Sequence, residues 1–304
     1  MRVVPLLLVA SCVGFAQSPV REVETGAAVV TSAPLPGLAN NHLYFIDMPD
    51  HVRVFSPNGY SSIVIDLDGR GDERSYVQGI AIDSDETIAI AWGTRRGPSG
   101  IEIRDGSGAL LRTVDTGLFT PGSVAFGADH SLWSFGWQRA AKGSQVHARD
   151  FGMLRHYSAA GQEMAAFLPR SLFPKGLEPG GSQAQEQRIH VMPDRIGLVA
   201  FSGETGNQQE WVEVDFNGNV LGRWRIDGKQ FVGVTPTSDG NVYATERDPK
   251  TQKDVVVRLD RATSTWQPVA TGAKGRLYGA DGDQLIFGSW PKQVMLLDWF
   301  KQPS

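Results

Sequence analysis

The chain has 304 residues, of which 41% are hydrophobic and 20% charged, and its formal net charge is −4. This composition supplies enough apolar residues for a core and excludes a disordered chain or a general nucleic-acid binder. A single cysteine excludes an internal disulfide and any zinc site that needs two thiolates.

The first residues have the pattern of an export signal. The apolar run 3–16 is too short to cross a bilayer, which takes about 20 residues, and it fits a signal peptide that ends at Ala16. A second interpretation is a lipoprotein signal that ends before Cys12, with Cys12 as a lipid anchor. A third is a cytoplasmic protein with an apolar start. We expect a secreted or periplasmic protein, lipid-anchored to the cell envelope in the second case, with no transmembrane span.

The rest of the chain is built from one repeated module of four short strands separated by turns rich in Gly, Asp, Asn and Ser. Successive copies are 43 to 46 residues apart, except for a step of 64 residues between the third and fourth. A period of this length with four strands per copy is typical of β-propeller blades, and six copies predict an all-β, six-bladed β-propeller. The second strands of the copies are marked by Leu43, Ile88, Leu132, Ile196, Val242 and Leu285.

Two segments carry a resemblance to a known class. The residues Gly79-Ile80-Ala81-Ile82-Asp83 and Ser238-Asp239-Gly240-Asn241-Val242-Tyr243 resemble the blades of NHL and SMP-30/gluconolactonase-like (TolB-like) six-bladed propellers. The resemblance implies a propeller over nearly the whole mature chain. Enzymes of the SMP-30 type bind a divalent metal through acidic and amide side chains at the channel mouth. The corresponding positions here hold no carboxylate, so we expect no metal and no cofactor; they are Asn41, Gln78, Ser123, His190 and Tyr278.

The last copy contains three strands, which would leave an open sheet edge. The run 26–32 lies upstream of the first copy and has the composition of a strand. We expect this N-terminal run to complete the last blade and close the ring. The predicted organisation is a signal over 1–16, a linker over 17–25 and one propeller domain over 26–304.

The long loops follow second strands and connect successive copies, so they would share one face of the propeller. Loops on one face of a rigid scaffold are frequent binding sites. Basic and aromatic residues near these loops are suited to an anionic or sugar-like ligand, although a solvated rim would have the same composition. The candidates are Trp92, Arg95, Arg96, Trp137, Arg139, His147 and Arg149.

These patterns favour an extracytoplasmic propeller that binds a small ligand or an envelope protein through its loop-rich face, with no nucleic-acid partner. The alternative is an enzyme of the lactonase, lyase or hydrolase type, with a site at the central channel mouth. In that case His190, together with Asp47 or Glu246, is the candidate general base. A third alternative is a subunit of an envelope assembly, which would expose an apolar patch on the blade sides.

Overall fold

Short strands make up almost all of the regular structure. The computed structural model describes residues 21–24, 35–40, 42–48, 50–56, 61–67, 75–94, 98–138, 150–173, 189–202, 208–225, 230–248, 250–251, 254–269, 276–289 and 294–301. Within these ranges the chain forms 24 β-strands and one 3₁₀ turn, Arg170–Leu172. The protein is therefore all-β.

The strands of the described ranges form six four-stranded antiparallel sheets. The first sheet contains β2 (Leu35–Ala39), β3 (His42–Met48), β4 (His51–Phe55) and β5 (Ser62–Asp66). The second contains β6 (Ser75–Ile82), β7 (Ile88–Thr94), β8 (Ser99–Arg104) and β9 (Leu110–Asp115). The third contains β10 (Phe119–Phe126), β11 (Leu132–Gln138), β12 (Gly152–Tyr157) and β13 (Glu163–Pro169).

The remaining three sheets follow the same order along the chain. The fourth contains β14 (Ile189–Val191), β15 (Ile196–Ser202), β16 (Gln208–Val214) and β17 (Val220–Arg225). The fifth contains β18 (Gln230–Pro236), β19 (Val242–Arg247), β20 (Asp254–Asp260) and β21 (Thr265–Pro268). The sixth contains β22 (Arg276–Asp281), β23 (Gln284–Ser289), β24 (Val294–Lys301) and β1 (Arg21–Glu24).

Strand position within a sheet explains the sequence pattern. Every residue of β7, the second strand of its sheet, is buried, because both faces of this sheet pack against neighbouring sheets. A continuous apolar run is expected for such a strand. The outer strand β9 is exposed at all positions except Val114, and it carries more polar residues.

The hydrophobic core lies between the sheets. Of six buried clusters in the described residues, five join sheets that are consecutive in the chain, and the sixth joins the first sheet to the sixth. In that last cluster Ile286 packs with Leu43, Phe45 and Phe55. First strands of neighbouring sheets also contact one another, namely β2 with β6, β6 with β10, β10 with β14, β18 with β22 and β22 with β2. This arrangement is a β-propeller.

The strand that completes the sixth sheet differs from the prediction. β1 pairs antiparallel with β24, with Val23 opposite Met295, and it lies inside the stretch 17–25 that was predicted to be a linker. The predicted run 26–32 lies outside the described residues. An outer edge strand is held by backbone hydrogen bonds, so the largely charged segment Arg21–Glu24 can fill this position.

The turns between first and second strands, and between third and fourth strands, lie at the same end of every sheet. We call this end the turn face; the opposite end, with the longer connections, is the loop face. Several turns of five residues share the same two hydrogen bonds. The N–H of the first residue donates to the carbonyl of the fifth, and the N–H of the fourth residue donates to the carbonyl of the first. Asp105 and Asp215 also accept backbone N–H groups of their own turns through their carboxylates.

Candidate functional site

The first strands of all six sheets surround a central cavity of about 910 Å³. Its walls combine apolar and polar surface in similar amounts. Small-molecule sites in proteins are commonly apolar cavities of roughly 300–1,000 Å³ with a few polar groups. The apolar lining comprises Leu38, Ile46, Ile80, Ile82, Val124, Phe126, Ile189, Val191, Met192, Pro193 and Pro236, with Ala and Gly residues between them.

The cavity opens at the turn face. Residues of the turns that follow β2, β6, β10 and β14 line it, and four of them are exposed to solvent. These are Asn40, Ser84, Ala128 and Pro193. A ligand could therefore enter between the turns without displacing a sheet.

Polar side chains also line the cavity in the described part of the chain. The four described members of the set predicted from the repeat all line it: Gln78, Ser123, His190 and Tyr278. The structure adds Asn40, Tyr44, Asp83, Ser84 and Thr235. Asp83 contributes the one carboxylate among the described lining residues.

Asp83 forms a contact between the second and third sheets. Its Oδ2 lies 2.6 Å from Nδ1 of His130, which belongs to the turn after β10. The other oxygen, Oδ1, accepts the backbone N–H of Ser84 at 2.7 Å. The hydrogen bond and the charge of Asp83 raise the pKa of the His130 imidazole above 6.5. The pair is therefore an ion pair at the mouth of the cavity whenever His130 is protonated.

His130 occupies a backbone conformation that is usually left to glycine. Its φ is +61°, and Glu86 at the same position of the preceding sheet's turn has φ +68°. The corresponding residue in the turn after β18 is Gly240. This conformation directs the imidazole of His130 toward Asp83 on the neighbouring sheet.

The same turns bring together three groups that could hold a cation. Asp83, Asp85 and His130 each place one oxygen or nitrogen ligand atom within 4.8 Å of the others. Asp85 and His130 are exposed, and Asp83 is buried. No metal site was expected from the sequence, in which Asp83 was noted only as part of a blade motif. Asp83 is the first residue and His130 the fourth residue of their turns, so an alignment of successive copies does not pair them.

The predicted loop-face residues separate into two groups. Trp92 and Trp137 are 3% and 7% exposed. Trp92 belongs to the cluster between the first and second sheets, and Trp137 lies against the backbone of Gly122. Their role as ligand contacts stays a prediction. The other candidates lie outside the described residues, so they stay predictions: Arg95, Arg96, Arg139, His147 and Arg149.

Of the two carboxylates proposed as partners of His190, the structure describes the side chain of one. The side chain of Asp47 lies outside the described part of the structure. Glu246 is 6% exposed near the end of β19 and is not among the cavity-lining residues. His190 instead lies 5.9 Å, ring centre to ring centre, from Trp211.

No helix within the described ranges is long and apolar enough to cross a membrane. No protein-family model and no curated protein matches the sequence.

Solved structures with a similar fold include three that have low sequence identity to this chain. A protein of unknown function from Bacteroides caccae is 13% identical with a TM-score of 0.48, over 78% of this chain and 83% of that one. The Dos1 propeller is 11% identical with a TM-score of 0.47, over 88% of this chain and 78% of its own. BamB from Moraxella catarrhalis is 13% identical with a TM-score of 0.39, over 88% of this chain and 96% of its own. TM-scores below 0.5 carry no argument about function.

Proposed function

We propose that this protein is a binding module that takes a small molecule into its central cavity through the turn face. The observation that carries the proposal is the cavity itself, which is lined by the first strands of all six sheets and combines apolar side chains with polar groups. Catalytic sites of the metal-dependent propeller type need several oxygen ligands around one point. The described lining offers one carboxylate, and that carboxylate is bonded to His130.

Fluorescence of Nile red, a neutral apolar dye, tests the proposal. Gln78→Trp places a large ring on the cavity wall, whereas the matched control Thr113→Trp adds the same ring to an exposed position of outer strand β9. We expect Nile red to bind the wild type and the control, and Gln78→Trp to lose binding by at least tenfold. Equal dye binding by all three proteins would place the dye elsewhere and overturn the proposal.

The enzyme alternative is favoured by one observation, the position of His190 on the cavity wall. A neutral imidazole there could act as a general base toward a bound lactone or ester. Hydrolysis of a panel of γ- and δ-lactones, compared between wild type and His190→Gln, tests this alternative. Turnover that depends on His190 would support the enzyme alternative. Absence of turnover would favour the binding module over the enzyme.

The envelope-assembly alternative is favoured by exposed apolar side chains on the outer strands. Leu110 and Leu111 on β9 are 49% and 55% exposed, and Leu221 on β17 is 50% exposed. Sedimentation analysis with Leu111→Lys tests this alternative. A change in oligomeric state on substitution would support it.

We also propose the finer description of the fold and address. The six sheets would be six blades of one ring, related to the NHL and SMP-30/gluconolactonase-like class and closed by β1 against β24. Export through the segment 1–16 would place the ring outside the cytoplasm, with or without a lipid on Cys12. Mass spectrometry of the mature N-terminus from the native host distinguishes cleavage after Ala16, acylation of Cys12 and an uncleaved chain.

A further inference from the structure

We infer that the ligand of the central cavity is a small organic cation with an apolar body, such as a substituted ammonium compound. This inference rests on the proposed binding function and adds the chemical class of the ligand. It differs from the anionic or sugar-like ligand expected from the loops, because the described cavity opens at the opposite face.

The charge of the cavity wall is the first argument. Among its described lining residues Asp83 is the one carboxylate, and no lysine or arginine is present. The side chain of Asp83 is 10% exposed, so it is poorly screened by solvent. A buried carboxylate without a cationic lining attracts a cation and repels an anion.

The aromatic residues of the wall are the second argument. Tyr44, Phe126 and Tyr278 come from three different sheets and line the same cavity. The faces of aromatic rings attract ammonium groups, by about 0.5–2 kcal/mol for each contact. Rings and a carboxylate in one cavity therefore complement a ligand that is both apolar and positively charged.

The turns around the cavity mouth are the third argument. Five of the six turns between first and second strands carry carboxylates, and in these turns the described residues contain one arginine, Arg195. Arg195 is itself bonded to Asp194 and Glu213. The carboxylates are Asp83, Asp85, Glu86, Asp129, Asp194, Asp239, Asp281 and Asp283.

Several of these carboxylates are held in the charged form. Hydrogen bonds from the backbone and side chain of Thr87 lower the pKa of Asp85, and hydrogen bonds from Ser131 lower the pKa of Asp129. A ring of one sign of charge around a low-dielectric cavity focuses its field along the entrance and speeds association of the opposite charge. The entrance of the cavity therefore favours cations over anions.

His130 contacts the same carboxylate. Its Nδ1 lies 2.6 Å from Oδ2 of Asp83, and Oδ1 of Asp83 accepts the backbone N–H of Ser84. A cation in the cavity would therefore share Asp83 with these two groups, and the acidic side chains of the surrounding turns add to its attraction.

Two isosteric probes test the ligand class by calorimetry. Choline carries a trimethylammonium group, and 3,3-dimethylbutan-1-ol replaces it with an uncharged tert-butyl group. EDTA in all buffers removes divalent ions that Asp83, Asp85 and His130 could bind. We expect choline to bind the wild-type protein at least about tenfold more tightly than the alcohol.

Asp83→Asn and a charge-matched control, Asp105→Asn, locate the interaction. Asp105 lies in an outer turn of the same sheet and does not line the cavity. We expect Asp83→Asn to weaken choline binding about tenfold, since one ion contact is lost, and Asp105→Asn to change it less than twofold.

The outcomes separate this inference from the proposed function. In one outcome, Gln78→Trp blocks Nile red binding, but choline and the alcohol bind with equal affinity. This result would support the proposed binding function and overturn the inference that the ligand is a cation. Choline binding unchanged in Asp83→Asn would also overturn it. Nile red binding that is equal in wild type, Gln78→Trp and Thr113→Trp would overturn the proposed function itself, and with it the inference about the ligand.

Discussion

Gly218 lies directly against the ring of Phe167 on the preceding sheet, so a β-carbon at Gly218 would come within 2.3 Å of Phe167 Cδ1. Gly108 and Gly161 hold the equivalent position in their own turns, and each faces the outer strand of the sheet before it. All three have positive φ. The turn between third and fourth strands therefore needs glycine for its backbone and for the spacing between neighbouring sheets.

Gly218→Ala is expected to destabilise the protein more than Gly240→Ala. The two glycines have φ +82° and +81°, but nothing lies within 4 Å of a β-carbon at Gly240. The left-handed conformation alone costs about 1–2 kcal/mol for alanine, and the overpacking at Phe167 adds roughly 1–3 kcal/mol. Urea unfolding of both variants measures the difference. Equal losses would show that the turn shifts freely away from Phe167.

Glu213 is the centre of a buried ionic network between the fourth and fifth sheets. Its carboxylate is fully buried and accepts hydrogen bonds from Arg195, Arg261 and the indole of Trp211. We expect Glu213→Gln to lower the free energy of unfolding by about 3 kcal/mol, because it removes the buried charge that pairs with Arg261 and with Arg195, and Arg195 keeps only its pair with Asp194 among the described residues. In the control Glu163→Gln, an exposed pair with Arg155 is lost, and the change should stay below about 1 kcal/mol.

The pH dependence of the same variant provides a second check. Burial would raise the pKa of Glu213, but the hydrogen bonds from Arg261, Trp211 and Arg195 outweigh it, so the pKa lies below 4.5. The stabilisation is therefore complete above pH 4.5 and is lost as the pH falls through the lowered pKa. The difference in stability between wild type and Glu213→Gln should shrink in acid. A difference that is constant with pH would exclude a charged Glu213 as its source.

The pKa values of two histidines should be shifted in opposite directions from 6.5. The pKa of His130 is raised by Asp83, whereas burial lowers the pKa of His156, which stacks on Trp133 at 4.0 Å. The His130–Asp83 contact therefore stabilises the fold below pH 6.5, and this contribution disappears as the pH rises through the raised pKa. Imidazole NMR titrations should show both shifts. In Asp83→Asn the His130 value should return toward 6.5 while that of His156 stays; movement of both would indicate a general structural change.

Removal of β1 should weaken the sixth sheet. Deletion of residues 1–24 leaves the edge of β24 unpaired, whereas deletion of 1–20 keeps β1. We expect the longer deletion to lower Tm by about 3 °C or more, and to promote dimers through the exposed strand edge. Calorimetry and size-exclusion chromatography measure the two effects. The same Tm for both truncations would mean that β1 does not hold the sixth sheet.

The repeat alone predicted much of the fold and part of the cavity. The strands expected near 276–280, 284–288 and 293–299 correspond to β22, β23 and β24. His190 and Gln78 were placed on inner strands from their position in the repeat, and both line the cavity. The buried positions of Trp92 and Trp137 were missed, because an aromatic residue at a strand end has the same pattern whether it faces a ligand or a neighbouring sheet.

The spacing of apolar runs and turn residues determined the strands, because alternation and tight turns are local properties of the chain. Which turns meet around the axis was decided only by the tertiary structure. Asp83 and His130 are 47 residues apart, and nothing local to either turn specifies their contact. The packing of consecutive sheets brings them to within 2.6 Å at the mouth of a cavity that no single sheet contains.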